Sequence, residues 1–466
     1  MTWNDPRPPA PQPLDASGRP VAPNPEPVWY PVQPVFTQAP PRRRVASTVS
    51  LAVGFTVIGV FALAVAVYFL LFLQPAVIVA ASLLAFIPLA IVLTGIWLVD
   101  RWEPEPRVAL LFAFLWGGAV SVGTALIVDL VVGSVQAFVG LGATDGAEVL
   151  GAVVQAPVVE ESAKGFGVLL VLWIFRRHFD GPVDGIVYAA TVAAGFAFVE
   201  NIQYFAVQVT DDVFSGSQGL VFVFVVRALM SPFAHVMYTA CTGIALGYAA
   251  RRTGPYGAIG FFFVGLVPAV LLHALWNGAL VVVGDSFFVY YLLVQVPIFL
   301  AMVGLVVFLR RNERRVTHAR LAEYAAVGWF SADEVAMLST SAGRRRARRW
   351  AATAGVGPAM KRFVSDATRL AFTRQRMVKG SRGGDAVAQR DEGELLQALS
   401  RSRAALQAPQ AAFVGHAPRP DLPGWGQASV DGGGGQGAYW QGHDPGQGVA
   451  PPQRDPWGRP VPPPGW

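Results

Sequence analysis

The chain has 466 residues, of which 53% are hydrophobic and only 14% are charged, and its mean hydropathy is +0.44. Since soluble globular proteins carry about 25% charged residues, this composition excludes an ordinary soluble domain. The net charge of +6 comes largely from the terminal regions, so it does not indicate a nucleic-acid partner. The single cysteine, Cys241, excludes an internal disulfide.

The chain begins with a Pro-rich stretch, residues 1–44, which we predict to be a disordered cytoplasmic leader. Apolar segments of about 20 residues or more follow, each long enough to cross a hydrocarbon core of about 30 Å. We place these spans at residues 46–73, 76–99, 108–141, 149–175, 184–208, 219–250, 257–283 and 286–309. The predicted fold class is all-α: a polytopic helical membrane protein with about eight transmembrane helices, whose transmembrane domain covers residues 45–309.

Basic residues test this number of spans, because cytoplasmic loops of membrane proteins are rich in Lys and Arg. They occur at every second junction between spans, and the other junctions contain neither residue type. The basic junctions hold Arg42–Arg44, Arg101 with Arg107, Arg176 with Arg177, Arg251 with Arg252, and Arg310 with Arg311. This alternation predicts an even number of spans in the cell membrane, with both termini in the cytoplasm.

The sixth span is unusually long, and we expect Pro232 to kink it. Beyond the spans, residues 310–405 are basic and are predicted to contain short amphipathic helices. Their cluster Arg344–Arg349 favours contact with anionic lipid of the cytoplasmic leaflet, whereas nucleic-acid binding would call for interleaved aromatic residues. Residues 406–466 are rich in Gly, Pro and Trp and are predicted to be disordered.

Several ionisable or amide side chains lie within the apolar spans, where such residues are rare and usually face the interior of the bundle. Those in the fourth to seventh spans are Glu160, Glu161, Lys164, Glu200, Asn201, Arg227, His235, His273 and Asn277. Of these, the residues that lie at similar depths on four helices, and that we expect to meet in one cavity, are Glu160, Glu161, Glu200, His235 and His273. Asp129, in the third span, is expected to be structural and to pair with Arg227 or Lys164.

Glu160 and Glu161 lie four and three residues before Lys164, so both can reach its ammonium group on one helix face. One glutamate can be held as a carboxylate by Lys164 while the other acts as a base. The alternative is a buried ion pair that only fixes helix packing. Arg227 is expected to be the counter-ion of an acidic residue rather than a catalytic group.

The two histidines allow more than one role. His273 and Asn277 lie one turn apart and can both donate to a developing oxyanion, or they can join helices by hydrogen bonds. His235 either positions a water, protonates a leaving amine, or is a core residue. In a second version His235, His273 and Glu161 are candidate ligands of Zn²⁺. Neither HExxH nor GxSxG occurs, which excludes the usual helix-borne zinc protease motif and the nucleophile elbow of serine hydrolases.

Five motifs in this order resemble the PrsW family of intramembrane proteases, which is related to CAAX-processing and bacteriocin-processing membrane proteases. They are DRWEPEP, VVEESAKG, DGIVYAATVAAGFAFVENIQYF, SPFAHVMYT and LLHALWN, and together they cover about residues 97–280. The resemblance implies a peptidase that hydrolyses a peptide bond of a membrane-anchored protein. Site-1 cleavage of an anti-sigma factor is the reaction associated with the family.

The resemblance also implies roles for particular residues. It carries functional roles to Glu160, Glu161 and His235. Glu200 with Asn201, and His273 with Asn277, match further motif positions. By analogy with the CAAX-processing relatives, a glutamate would activate water and His273 with Asn277 would form the oxyanion hole. Glu200 is a further catalytic candidate, and we expect Lys164, Asn201 and Arg227 to support the site.

Which of Glu160 and Glu161 is the base, and whether a metal takes part, stays open at this point. A proton-coupled transporter and a non-catalytic membrane scaffold are the alternative functions, because intramembrane Glu, His and Arg also mark transport pathways. No internal repeat of the hydropathy pattern is visible, which disfavours a transporter.

Overall fold

Helices account for all the regular structure in the part of the chain that the computed structural model describes, which is residues 45–101, 104–140, 145–176, 178–179, 181–215, 219–378 and 385–415. No strand occurs in these residues, so the all-α prediction is confirmed. The leader predicted at 1–44 and most of the tail predicted at 406–466 lie outside the described residues, and their disorder stays a prediction.

The apolar part of the chain forms the following helices. They are α1 (Val45–Phe72), α2 (Pro75–Asp100), α3 (Arg107–Phe138, with a π-helical stretch at Trp116–Ser121), α4 (residues 145–174, comprising Asp145–Leu150, π-helical Gly151–Gln155 and Ala156–Ile174), α5 (Pro182–Ser215), α6 (Gly219–Phe224 with π-helical Val225–Met230), α7 (Ala234–Arg252), α8 (Gly257–Val282) and α9 (Phe287–Ala326). Within α9, residues Tyr291–Gln295 are π-helical.

Seven helical segments of the described chain are long and apolar enough to cross a membrane, and they match seven of the eight predicted spans. They are Val49–Phe72, Pro75–Asp100, Arg107–Phe138, Pro182–Val213, Gly219–Ala250, Gly257–Ala279 and Phe287–Ala326. The remaining predicted span, residues 149–175, is helical as α4, but Glu160, Glu161 and Lys164 interrupt its apolar surface. α4 packs against α3, α5, α7 and α8, so these charged side chains are buried among helices.

The predicted kink near Pro232 is a complete break between α6 and α7. α6 ends at Met230 and α7 begins at Ala234. Pro232 has no N–H to continue the helix. Ser231 closes the end of α6, because its backbone N–H and its hydroxyl both donate to the carbonyl oxygen of Val226, at 2.9 Å and 2.7 Å.

α5 is the central helix, and small residues let its neighbours approach it closely. Gly185 of α5 faces Gly243 of α7, and a Cβ built on Gly185 would lie 2.0 Å from the carbonyl oxygen of Gly243. On another side Gly195 of α5 meets α3, where a Cβ would lie 2.0 Å from the carbonyl oxygen of Phe114. These backbone contacts fix the helices that carry the polar residues.

Beyond the membrane part, α9 continues into a bundle of four further helices: α10 (Ala332–Ser339), α11 (Ser341–Thr353), α12 (Gly357–Val378) and α13 (Asp385–Gly415). The predicted short amphipathic helices therefore exist, and they pack on one another and on α9 around a core of their own. This core includes Leu321, Tyr324, Leu338, Ala351, Phe363, Leu370, Leu395 and Leu399. α13 runs ten residues past the boundary at 405 that the sequence suggested.

One member of the basic cluster lies inside this bundle rather than on its surface. Arg344 is only 2% exposed, and its Nε donates to the carbonyl oxygen of Leu338 at 2.6 Å. Its Nη2 donates to Thr368 Oγ1 at 2.9 Å. Arg344 therefore differs from an open basic surface, because its guanidinium joins α10, α11 and α12.

The close contact of α5 and α7 predicts the effect of adding one methyl group. In Gly243→Ala the new Cβ would lie 2.2 Å from the carbonyl oxygen of Gly185 and 2.7 Å from the Cβ of Ala189. Because backbone atoms cannot move aside cheaply, we expect a loss of about 1–3 kcal/mol in stability. Thermal unfolding of the purified protein in detergent measures this as a lower Tm.

Gly260→Ala in α8 is the matched control, because no atom lies within 4 Å of its added Cβ. Its Tm should stay the same or rise slightly, since alanine favours helix over the unfolded chain. Equal Tm values for the two variants would contradict the close packing of α5 and α7.

Candidate active site

A buried cation organises the polar residues of the membrane part. The Lys164 side chain is fully buried, and its Nζ lies 2.6 Å from Glu161 Oε1 and 3.3 Å from Glu160 Oε2. Nζ also lies 3.2 Å from His235 Nδ1 and 4.0 Å from the centre of the Phe196 ring. The structure thus brings residues of α4, α5 and α7 to one ammonium group.

The local sequence of α4 explains how this charge is held inside. The i, i+3 and i, i+4 spacing places both glutamates beside Lys164. Glycine follows at 165 and 167, and a Cβ on Gly167 would lie 2.2 Å from the Trp116 ring. Trp116 in turn donates from Nε1 to the carbonyl oxygen of Ala163 at 3.0 Å. Ala163 and Gly167, one turn apart, therefore let α3 lie close against the helix that bears the charges, while Gly165 faces Thr242 and Phe262.

Glu161 has its hydrogen-bonding capacity largely used. Its side chain is fully buried. Oε2 accepts from the Thr239 hydroxyl at 2.8 Å, and Oε1 accepts from Lys164 and from His273 Nδ1 at 3.1 Å. Since a buried carboxylate is stable only when it is paired and hydrogen-bonded, these three donors hold Glu161 in its charged form. Glu161 links α4 to α7 and α8.

The partners of His273 assign its tautomer. A carboxylate only accepts, so Nδ1 of His273 donates to Glu161, and Nε2 of the neutral ring carries a lone pair. This Nε2 faces Glu160 Oε2 at 3.8 Å, which is too long for a hydrogen bond. Two acceptors thus face each other across a gap that a proton, a water or a cation can bridge.

His235 is fixed by the same reasoning. The Lys164 ammonium only donates, so Nδ1 of His235 accepts, and Nε2–H donates to Glu200 Oε2 at 2.9 Å. Glu200 also forms an ion pair with Arg227, whose Nε donates to Asn201 Oδ1 at 2.7 Å. Arg227 thus has the acidic partner expected for a counter-ion.

Two predicted contacts are different in the structure. Asn277 Nδ2 donates to the carbonyl oxygen of Ala152 at 2.8 Å, so this amide joins α8 to the π-helical stretch of α4. Asp129 accepts from Gln155 Nε2 at 2.9 Å rather than pairing with Arg227 or Lys164. An oxyanion role for Asn277 would require its amide to leave Ala152, and that role stays a prediction.

Two residues of the cluster were missed from the sequence, Tyr238 and Thr239. Tyr238 stacks on His273 with a centroid distance of 5.0 Å and meets His235 edge-on at 5.9 Å. Its hydroxyl is buried and has no hydrogen-bond partner in the described part of the chain. Both residues could have been found from the sequence, because they lie three and four residues after His235 and therefore on the same helix face.

An open cavity of about 270 Å³ lies at the break between α6 and α7. Its lining is mainly apolar and includes Ser231, Phe233, Met237, Trp276, Tyr291 and Gln295. Ala234 also lines it and immediately precedes His235, and Trp276 lies three residues after His273. The cavity, which we call the break groove, is therefore lined by near neighbours of both histidines in the chain, although neither histidine itself lines it.

The cluster also has the residue types of a metal site. Glu160, His235 and His273 each offer one ligand atom, and these atoms lie within 4.8 Å of one another. The carboxylate in this set is Glu160, whereas the sequence suggested Glu161. Each histidine has its other nitrogen on a carboxylate, as ligating histidines usually do.

This donor set fits a divalent metal such as Zn²⁺. Lys164 Nζ, however, lies beside two of the three ligands, so an ammonium group and a metal would compete for the same space.

The part of the chain that contains this cluster is similar to known proteins. Residues 105–302 match the family described as PrsW family intramembrane metalloprotease. Protease PrsW of Clostridioides difficile (strain 630) is 30% identical over 201 residues, which are 43% of this chain and 79% of that protein. Protease PrsW of Geobacillus kaustophilus (strain HTA426) is 31% identical over 34% of this chain and 61% of its own length.

Protease PrsW of Bacillus subtilis (strain 168) is 32% identical over 29% of this chain and 55% of its own length. No solved structure matches the chain significantly. The matched region contains every residue of the cluster, from Glu160 to Asn277. The chain therefore belongs to the PrsW family and is a multi-pass membrane peptidase.

Proposed function

We propose that this peptidase cleaves a membrane-anchored protein with a water that Glu160 activates. The observation that carries the proposal is the unequal bonding of the two glutamates. Glu161 accepts from Thr239, Lys164 and His273, whereas Glu160 faces the lone pair of His273 across 3.8 Å. Glu160 therefore has a free acceptor position beside a second acceptor, which suits it to orient a water and remove its proton.

The chemical steps follow from these positions. A water between Glu160 and His273 Nε2 loses one proton to Glu160 as its oxygen attacks the peptide carbonyl carbon. The carbonyl oxygen becomes an oxyanion. When the C–N bond breaks, Glu160 returns the proton to the leaving nitrogen, so one water is consumed and a carboxylic acid and an amine are formed. Lys164 stays beside both glutamates and balances the charge of one of them.

The oxyanion needs a hydrogen-bond donor, and Tyr238 supports that role better than Asn277. The amide of Asn277 is bonded to Ala152, and His273 Nε2 carries a lone pair. The Tyr238 hydroxyl has no partner in the described residues and its ring lies against His273. A buried donor that stays unpaired until charge develops is what transition-state stabilisation requires.

A metal version uses the same residues. Glu160, His235 and His273 would hold Zn²⁺, with Glu161 and Glu200 orienting the two imidazoles. Bound there, the metal would acidify water and polarise the peptide carbonyl. Its binding would require Lys164 to move from the position beside Glu160 and His235, which leaves Glu161 as the partner of its ammonium group.

The break groove supports a substrate that lies in the membrane. Its lining is mainly apolar, which suits side chains of a membrane-spanning segment. An extended stretch of substrate next to the break would bring a peptide bond to the two histidines. From the family resemblance, we further propose that the substrate is an anti-sigma factor and that the reaction is its site-1 cleavage.

The proposed topology places both termini in the cytoplasm of the cell. In its support, basic residues of separate junctions lie together: Arg101 and Arg310 line one cavity, and Arg176 donates to the carbonyl oxygen of Thr253, next to Arg252. Helix ends that share one side of the membrane meet in this way. With α4 crossing the membrane among its partners, eight helices cross in all.

Isosteric substitution of each glutamate separates their roles. Glu160→Gln removes the base and should lower the rate of substrate cleavage about 100-fold or more, with an unchanged Tm. Glu161→Gln places an amide N–H₂ against donors and should lower both Tm and activity. Cleavage of a single-span substrate in proteoliposomes and thermal unfolding are the measurements. Full activity of Glu160→Gln would rule out Glu160 as the base.

Removing metal decides between the two versions. If Zn²⁺ is held by Glu160, His235 and His273, a chelator should abolish cleavage and Zn²⁺ should restore it. Elemental analysis should find about one zinc per chain in the wild type and none in His273→Ala. Undiminished cleavage by protein that contains no zinc would select the version in which Glu160 alone activates water.

Deleting one oxygen atom tests Tyr238. Tyr238→Phe keeps the ring against His273 and should lower kcat by about 100-fold to 1,000-fold with little change in KM. Thr242→Val is the matched control, because Thr242 lies one turn further along α7 and its buried hydroxyl also lacks a partner among the described residues. Equal kcat values for Tyr238→Phe and the wild type would refute the oxyanion role.

A further inference from the structure

A second cluster of charged side chains lies where α2, α9 and α11 meet. A small cavity of about 30 Å³ is lined there by Ser341 and by five arginines. The arginines are Arg101, Arg310, Arg344, Arg345 and Arg348. They come from three separate stretches of the chain, so the fold itself concentrates this positive charge. Four of the five lie beyond residue 302, where the match to the family ends.

The positive charge of this cavity is poorly balanced. In the described part of the chain, Arg101, Arg310 and Arg345 have no ion pair. Nη1 of Arg310 is buried there without a hydrogen-bond partner. Asp100 and Glu313 act on Arg310 from outside the cavity lining, which contains no carboxylate. Because a buried donor without an acceptor is costly, an anion in the cavity would stabilise the fold.

One arginine side chain, and the backbone next to another arginine, are held in position by the protein itself. Arg344 is fixed inside the bundle by Leu338 and Thr368. Arg101 follows the last residue of α2, in a loop that is tied at both ends: the backbone N–H of Glu105 donates to Asp100 Oδ1 at 3.0 Å, and Tyr188 donates to Glu105 at 2.5 Å. The cavity is therefore bordered by residues whose positions do not depend on a ligand.

The cavity lies at the boundary of the membrane. Trp97 and Phe308, each within about one turn of Arg101 or Arg310, are both 59% exposed. Exposed apolar side chains next to arginines mark the level at which the hydrocarbon ends and lipid head groups begin. Trp350, on α11 itself, is also exposed and suits an interfacial position.

We propose that this cavity binds the phosphate group of an anionic phospholipid. Guanidinium groups match phosphate oxygens in pairs of parallel hydrogen bonds, and a cavity of about 30 Å³ exceeds the space that one water needs. Ser341, the first residue of α11, adds a hydroxyl and the N-terminal end of a helix. The lipid would hold α11 and its bundle against the ends of α2 and α9.

The experiment compares two double variants of one helix. Arg345→Gln/Arg348→Gln removes two arginines that line the cavity, and Arg346→Gln/Arg349→Gln makes the same charge change on α11 at positions that do not line it. The full chain in detergent is titrated with phosphatidylglycerol and with phosphatidylcholine, and bound lipid is counted by native mass spectrometry. Inorganic phosphate is titrated in a parallel arm.

We expect the wild type and the Arg346/Arg349 variant to bind one phosphatidylglycerol with similar Kd, and phosphatidylcholine more weakly. The Arg345/Arg348 variant should bind phosphatidylglycerol at least about tenfold more weakly. Arg101→Gln changes the cavity at the end of α2 and should also weaken the binding of phosphatidylglycerol. Because this substitution lies outside the bundle, the test does not depend on correct folding of the Arg345/Arg348 variant.

Equal weakening by the two double variants would overturn the proposal, because general surface charge would then explain the binding. Wild-type affinity in the Arg345/Arg348 variant or in Arg101→Gln would overturn it too. Inorganic phosphate that binds as tightly as phosphatidylglycerol, with the same response to the variants, would assign the cavity to a soluble phosphate and refute the lipid.

Discussion

The ammonium group of Lys164 is the charge on which the candidate active site depends. It is fully buried, so carboxylates have to lie beside it, and Glu160 and Glu161 do so at 3.3 Å and 2.6 Å. A second cation, Arg227, pairs with Glu200. Two cations thus face three carboxylates in this cluster, which leaves one negative charge over when all are ionised. A proton or part of the charge of a metal ion can balance it, and both belong to hydrolytic chemistry.

Much of this site follows from the sequence because it obeys helical spacing. The pairing of Lys164 with both glutamates needs only the i, i+3 and i, i+4 rule. Their meeting with His235 and His273 follows from similar depth in the membrane. The break at Pro232 follows from a missing N–H. Each of these inferences needs only the spacing of residues along one helix, or the depth of a residue in the bilayer.

The division of roles between the two glutamates could not be predicted. Both lie within reach of Lys164, and the difference is made by Thr239 and His273 on other helices. Asn277 is a similar case, because its partner is the carbonyl oxygen of Ala152 in a π-helical stretch that no pattern announces. Likewise, an amphipathic helix has the same pattern whether it lies on a membrane or in a bundle. For the same reason, the sequence could not show that Arg344 lies inside the bundle.

The break between α6 and α7 has two effects on the candidate active site. It ends α6 just after Arg227 and starts α7 just before His235, so both residues reach Glu200 from one chain segment. The same break opens the groove of about 270 Å³ next to the histidines. A continuous helix through Pro232 would give neither the groove nor the shared contact with Glu200.

The three charges of α4 have a consequence for how the protein is made. On insertion scales a charged residue at the centre of a membrane helix costs about 2.5–3.5 kcal/mol, so α4 is a poor substrate for the translocon by itself. The partners Thr239 and His273 are synthesised later, in α7 and α8. With α4 crossing the membrane as proposed, its stable integration has to wait for α7 and α8, and a chain truncated before α7 would leave this helix exposed to quality-control proteases.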